Sequence, residues 1–136
     1  MNALEQKLVE SLLSNKYKQI TGQLRTPEGH CCLGVACDIS GLGHWNPNET
    51  SEFITGGDGR PDSNESVLPR TVREALGWSM ETGLVTVRDR DGMRPSLADL
   101  NDIGFTFPQI ADLITAGLIE TIDEFRKRTQ QIGWDY

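Results

Sequence analysis

Long apolar runs are missing from this chain: nowhere do its 136 residues approach the ~18 consecutive apolar positions of a membrane-spanning helix. Cysteine is scarce as well. There are three, an odd number with two adjacent, whereas a secreted disulfide framework shows an even and dispersed set. Residues 1–13 are polar and amphipathic, without the basic start and apolar centre of a signal peptide. Together these absences predict a cytoplasmic protein in a reducing compartment. Basic residues are also in short supply: 13 Lys and Arg stand against 20 Asp and Glu, a net charge of −7. A phosphate-backbone partner needs a basic face, so nucleic acid is not expected as a partner. The acidity suits a solvated surface and a partner with a basic one.

The length fits one domain, 1–136, able to bury about two-thirds of its unfolded surface without a staple. A hydrophobic fraction of 37% with 14 Gly and 6 Pro predicts a compact core with generous loops. Leu4, Leu8, Val9 and Leu12 recur at helical spacing, which predicts a first helix ending near Asn15. Thr26-Pro27-Glu28-Gly29 is turn chemistry, so Gln23–Arg25 is expected to pair with His30–Cys32. Leu33–Ser40 is apolar nearly all round, which predicts a core helix stopped by Gly41. Residues 42–66 show no period and are expected to form a long loop, anchored by Trp45 and by Phe53-Ile54.

Further on, Leu68-Pro69 predicts a short helix to about Leu76, with Pro in its first turn. Leu84–Val87 alternates as a strand, and Asp91-Gly92 predicts a hairpin returning through Met93-Arg94. Ser96–Asp102 reads as a helical turn. Thr106 with Gln109, and Thr121 with Glu124, are capping boxes opening two last helices, the second carrying Ile122, Phe125 and Ile132. The fold class is therefore α+β: a single small domain of several short helices packed with one or two short antiparallel hairpins.

Few residues offer chemistry. A thiol at a helix start has a lowered pKa, which makes Cys31 and Cys32, with His30 beside them, weak catalytic candidates. A Cys–His pair needs its histidine across space, held by a third group. His30 is a chain neighbour and His44 lies in a glycine-rich segment, so these thiols are expected to pack in the core. His30, Cys31, Cys32, Cys37 and His44 match no zinc spacing, so no metal and no cofactor is expected. A helix-turn-helix across Phe105–Phe125 would meet phosphates with Glu120, Asp123 and Glu124, so a plain helical hairpin is expected there. Arg88 and Arg90 at a hairpin tip, and the polar turn Asn101-Asp102, read first as solvated loop and cap. Their minority reading is ligand contact.

One set of motifs carries a resemblance. Gly29-His30-Cys31-Cys32-Leu33-Gly34-Val35-Ala36-Cys37-Asp38, then Leu68-Pro69, then Leu97-Ala98-Asp99-Leu100-Asn101-Asp102-Ile103-Gly104-Phe105-Thr106-Phe107 and Ile110-Ala111-Asp112-Leu113-Ile114, resembles a widespread set of small bacteriophage and prophage proteins. The likeness spans most of residues 20–115. It implies phage origin and kinship of fold, and it transfers no catalytic residues, because that set has no settled activity.

The expectation is a non-enzymatic phage accessory protein that acts by binding, in host takeover or counter-defence, with a host protein as the sequestered partner. The alternative is a binder of a small anionic ligand such as a nucleotide, using Arg25, Arg88 and Arg90 with Trp45 or Trp78, and Asn101 and Asp102 nearby. A Cys-dependent enzyme is the third reading. A homo-oligomer stays open.

Overall fold

The computed structural model describes residues 1–56 and 62–131. Helix α1 (Ala3–Leu13) opens on a capping box in which the Asn2 side chain and the Glu5 backbone, and the Glu5 side chain and the Asn2 backbone, exchange hydrogen bonds. The Asn2 amide also donates to the carbonyls of Ala75 and Leu76, so one residue caps two helix ends. Leu8, Val9 and Leu12 face the core, and Asn15, at φ 62°, turns the chain out of the helix.

The hairpin is shorter than expected. β1 (Arg25–Thr26) pairs with β2 (Gly29–His30) in the register Arg25 to His30, and Gln23, Cys31 and Cys32 lie outside the ladder. The helix claims the two cysteines: Cys31 is already the N-cap of α2 (Cys32–Ser40). Residues 18–20 run along the other side of β2, where His30 N donates to Lys18 O at 2.8 Å and Ile20 N donates to His30 O at 3.0 Å.

Helix α2 is the axis of the core, buried from Cys32 through Cys37 and ended by Gly41 at φ 70°. Its Gly34 is required by a close crossing. A Cβ there would stand 1.8 Å from the carbonyl oxygen of Leu24. α1 and α4 (Leu97–Asp102) pack against α2, and α5 (Phe107–Thr115) packs against α1.

Residues 42–66, expected as a loop, carry a three-stranded antiparallel sheet instead: β3 (Gly43–Trp45), β4 (Phe53–Thr55) and β5 (Asp62–Asn64). Trp45 pairs with Phe53, and Phe53 with Asn64. Strands of three residues are too short for a period of two to show. Phe53 and Thr55, both buried, hold the sheet to the core.

Pro69 precedes α3 (Arg70–Leu76), and Gly77 ends it in the left-handed region at φ 76°. The strand expected at 84–87 is not a ladder. Leu84 bridges Ser96 and Val85 bridges Ile119, one pair each, while Val87 is exposed. Pro95 supplies no N–H to a ladder, and Val85 N reaches its carbonyl at 2.8 Å. The turn at its tip is as expected, with Gly92 N donating to Asp89 O at 3.1 Å.

Both capping boxes form, Thr106 with Gln109 ahead of α5 and Thr121 with Glu124 ahead of α6 (Ile122–Gln131). The expected helical hairpin does not: between α5 and α6 the chain is extended, bridging Ile119 to Val85 and Thr121 to Trp78. Ile132 lies outside the described residues. Six helices and two small antiparallel sheets, among the described residues, make a single α+β domain. No helix among them is long and apolar enough to cross a membrane.

Candidate functional site

Asp38 stands at the exposed end of α2, and its carboxylate organises the surface above it. Tyr17 Oη donates to Oδ2 at 2.5 Å and Trp45 Nε1 donates to Oδ1 at 3.0 Å. The two donors come from opposite sides, the linker after α1 and strand β3. His30 sits between their rings, edge-on to Tyr17 at 4.9 Å and to Trp45 at 5.8 Å. Trp45 continues to Phe53 at 4.9 Å, which ties the aromatic row to the core.

The electrostatics follow from this packing. Partial burial pushes the Asp38 carboxyl up, but the bonds from Tyr17 and Trp45 and the charges of His30 and Arg25 outweigh it, and the net shift is downward. Tyr17 is raised to about 12, first by burial and then by its bond to Asp38 and the charge there. His30 moves down, chiefly because burial disfavours its charged form; Asp38 opposes this and Arg25 assists. Its Nε2 is shielded from solvent without a hydrogen-bond partner among the described residues.

Beside this row opens a cleft of about 520 Å³, with Lys16, Lys18, Arg25, Glu28, His30 and Thr50 among its walls. Arg25 lies over the Trp45 ring, its guanidinium carbon 4.4 Å from the centroid, and its Nε donates to Thr50 O at 2.8 Å. Among the described residues Lys16, Lys18 and Arg25 form no ion pair with a carboxylate within 4.0 Å. A cleft with three such cations stands out on a chain of net charge −7.

Arg25 and Trp45, named from the sequence, thus come together. The other four candidates lie elsewhere. Arg88 donates to Gly92 O at 2.7 Å and Arg90 is exposed at the same turn. Asn101 is 1% exposed and fully engaged. Its oxygen accepts from Cys32 N at 3.2 Å and Gln19 Nε2 at 2.9 Å, and its amide donates to Ile20 O at 2.8 Å. Asp102 accepts from Gly22 N at 3.0 Å. These two clamp the chain around the start of α2. Trp78 is fully buried, donates to Glu5 at 3.1 Å and is unavailable for stacking.

The thiols pack. Cys31 Sγ accepts from Gly34 N at 3.4 Å as an N-cap, and Cys31, Cys32 and Cys37 are free and buried. Burial pushes all three thiols up, overriding the backbone donors that assist a thiolate at Cys31 and Cys32. Among the described residues no three or more His, Cys, Asp or Glu gather as metal ligands do. The sequence reading missed Lys16, Tyr17, Lys18 and Asp38. Two lysines flanking a tyrosine were the available signal, and Asp38 gave none, since packing alone sets it against Tyr17.

Residues 1–118 match the family model of a domain of unknown function, DUF8296. The chain belongs to this family. The DUF8296 match covers the Asp38 aromatic row, the cationic cleft and the Asn101 clamp, and it ends just before Ile119. No curated protein and no solved structure matches the chain.

Proposed function

We propose that this protein is a non-catalytic binder of a small anionic ligand, held in the cleft between Lys16, Lys18, Arg25 and His30. The observation that carries the reading is the convergence of three cations without an ion-pair partner, among the described residues, on one cleft of an acidic protein. Elsewhere in the described chain Arg94 and Arg128 close on the buried Glu120, while Lys7, Arg88, Arg90, Arg126 and Lys127 also form no ion pair within 4.0 Å among the described residues, so what marks the cleft is that three such cations meet there. Cations without a close ion pair keep more of their field for an incoming anion, although Glu28 lines the same cleft and Asp38 feels the charge of Arg25.

A role in phage host takeover or counter-defence fits such a binder, because withdrawing a host ligand needs no catalysis. Sequestration of a host protein is less well supported. Among the described residues the exposed large apolar ones, Met1, Leu13, Leu42, Met80, Val87, Met93 and Ile103, come from several segments, with Val87 and Met93 on the same turn, and no residue cluster among them carries that reading. A Cys-dependent enzyme is disfavoured by the raised thiols.

Calorimetric titration with inorganic pyrophosphate tests the reading. Wild-type protein is expected to bind at low salt and to lose roughly tenfold or more in affinity when salt screens the cleft. Lys16 and Lys18 are exposed, so their joint replacement by alanine leaves folding intact and should weaken binding by a similar factor. Absence of binding by wild-type protein, or equal binding by the double variant, overturns the reading.

A further inference from the structure

We infer that the cleft is built for a nucleotide, with phosphate on Lys16 and Lys18, the base against Arg25 and a hydrogen-bond-donating edge on Glu28. This inference rests on the anion-binding reading and names the ligand class for the same site. Three observations support it.

The first is size. The cleft is open to solvent, and its roughly 520 Å³ leaves room for a nucleotide beyond its phosphates.

The second is Arg25. Its guanidinium is held from below by the Trp45 ring at 4.4 Å and tied by Nε to Thr50 O at 2.8 Å. Trp45 is itself pinned by Asp38 at 3.0 Å and packed on Phe53. Arg25 also lines the cleft, so a planar cation is presented there with its conformational entropy already spent. Arginine planes of this kind stack nucleobases, and a lysine cannot substitute for them.

The third is Glu28. A carboxylate in a cationic cleft opposes a bare anion, so its presence there is a defect in a site for inorganic phosphate. It becomes useful when the ligand also carries donors, as ribose hydroxyls and exocyclic amines do. Thr26 and Thr50 add hydroxyl groups to the same walls.

The test compares ADP, inorganic pyrophosphate and adenosine by calorimetry on the wild-type protein and on Arg25→Lys and Glu28→Gln. Wild-type protein is expected to bind ADP roughly tenfold or more tightly than pyrophosphate, because stacking adds to the charge contact. Adenosine, without phosphate, should bind more weakly than either. R25K keeps the charge and loses the plane, so the preference for ADP over pyrophosphate should collapse. E28Q should improve pyrophosphate binding and lower the ADP preference. Circular dichroism of both variants checks that they fold. If pyrophosphate binds as well as ADP, or if R25K keeps the wild-type preference, the nucleotide inference is wrong while anion binding stands. If neither compound binds, both fall.

Discussion

Gly34→Ala sets two effects of opposite sign against each other. Alanine in a helix interior is favoured over glycine by about 0.5–1 kcal/mol, and Gly34 is the third residue of α2, in its first turn, so propensity alone predicts a protein more stable by at most that amount. The crossing predicts the reverse. The added Cβ would meet Leu24 O at 1.8 Å and Leu24 C at 2.7 Å, both backbone atoms. A carbon–oxygen contact needs about 3.3 Å, so the two segments must separate by roughly 1.5 Å. Leu24 is not free to yield. Its side chain is fully buried, its N–H donates to Glu65 O at 2.8 Å and its carbonyl accepts from Cys31 N at 3.1 Å. Displacement costs about 1–3 kcal/mol as overpacking, and about 1 kcal/mol more for the Cys31 bond. The net effect is a loss of about 1–3 kcal/mol, or a fall in Tm of roughly 5–12 °C for a domain of this size. Thermal unfolding followed by circular dichroism, with a urea midpoint beside it, measures this directly. A variant as stable as wild type, or more so, would refute the claim that glycine is there for the crossing.

Two further predictions concern buried groups. Glu120 is 2% exposed and accepts from Ser79 at 2.8 Å, Arg94 at 3.1 Å and Arg128 at 3.3 Å, so Glu120→Gln should cost about 2–3 kcal/mol at neutral pH. That is less than for a fully buried pair, because Arg94 and Arg128 keep 20% and 43% exposure. Burial pushes the Glu120 carboxyl up, but Arg128, Ser79 and Arg94 hold it below its ordinary value. A depressed carboxyl stabilises the fold fully above its unfolded pKa of about 4.3, and the contribution is lost as pH falls through the lower folded value. The deficit of E120Q should therefore shrink in acid. Urea midpoints of both proteins at pH 7 and pH 3 decide the matter, and a deficit undiminished at pH 3 counts against the charge argument. For the cysteines, a thiol-reactive disulfide reagent at pH 8 should label the native protein slowly and all three thiols quickly in urea, since Cys31, Cys32 and Cys37 are buried with raised pKa. Rapid stoichiometric labelling of the folded protein would revive the nucleophile reading.

The parts of the fold that could be read from residues alone are those with local causes. Thr106 and Gln109 lie three apart and satisfy each other's backbone without help from the rest of the chain. Leu8 and Leu12 share a helix face by spacing alone. The β3–β5 sheet had no local cause to find. Its strands are three residues each, and what fixes them is Phe53 and Thr55 reaching the core from a segment otherwise rich in Gly, Asn and Ser. The 84–87 segment failed for a related reason. Its alternation holds only from Gly83 to Thr86, with Gly83 and Val85 buried between half-buried neighbours, and breaks at the exposed Val87; its partners are Ser96 and Ile119, and the latter lies beyond two intervening helices. The site divides in the same way. Arg25 and Trp45 were visible as residue types that bind anions and rings, whereas their contact depends on the β3–β4 pairing.

The cysteine-containing helix changes meaning under this reading. Its residues invited a search for reactivity at the N-terminal end, where Cys31 and Cys32 begin α2. That end is occupied by structural bonds: Asn101 takes the Cys32 N–H, Cys31 caps Gly34, and Leu24 crosses over Gly34. The helix is thereby fixed in place, and its other end becomes a rigid post. Asp38 stands on that post and holds Tyr17 and Trp45 by one carboxylate oxygen each. Trp45 in turn supports Arg25 at the wall of the cleft. A side chain placed through such a chain of contacts loses little entropy when a ligand arrives. The buried thiols and the exposed cations therefore belong to one device: the packing of the first gives the second their positions.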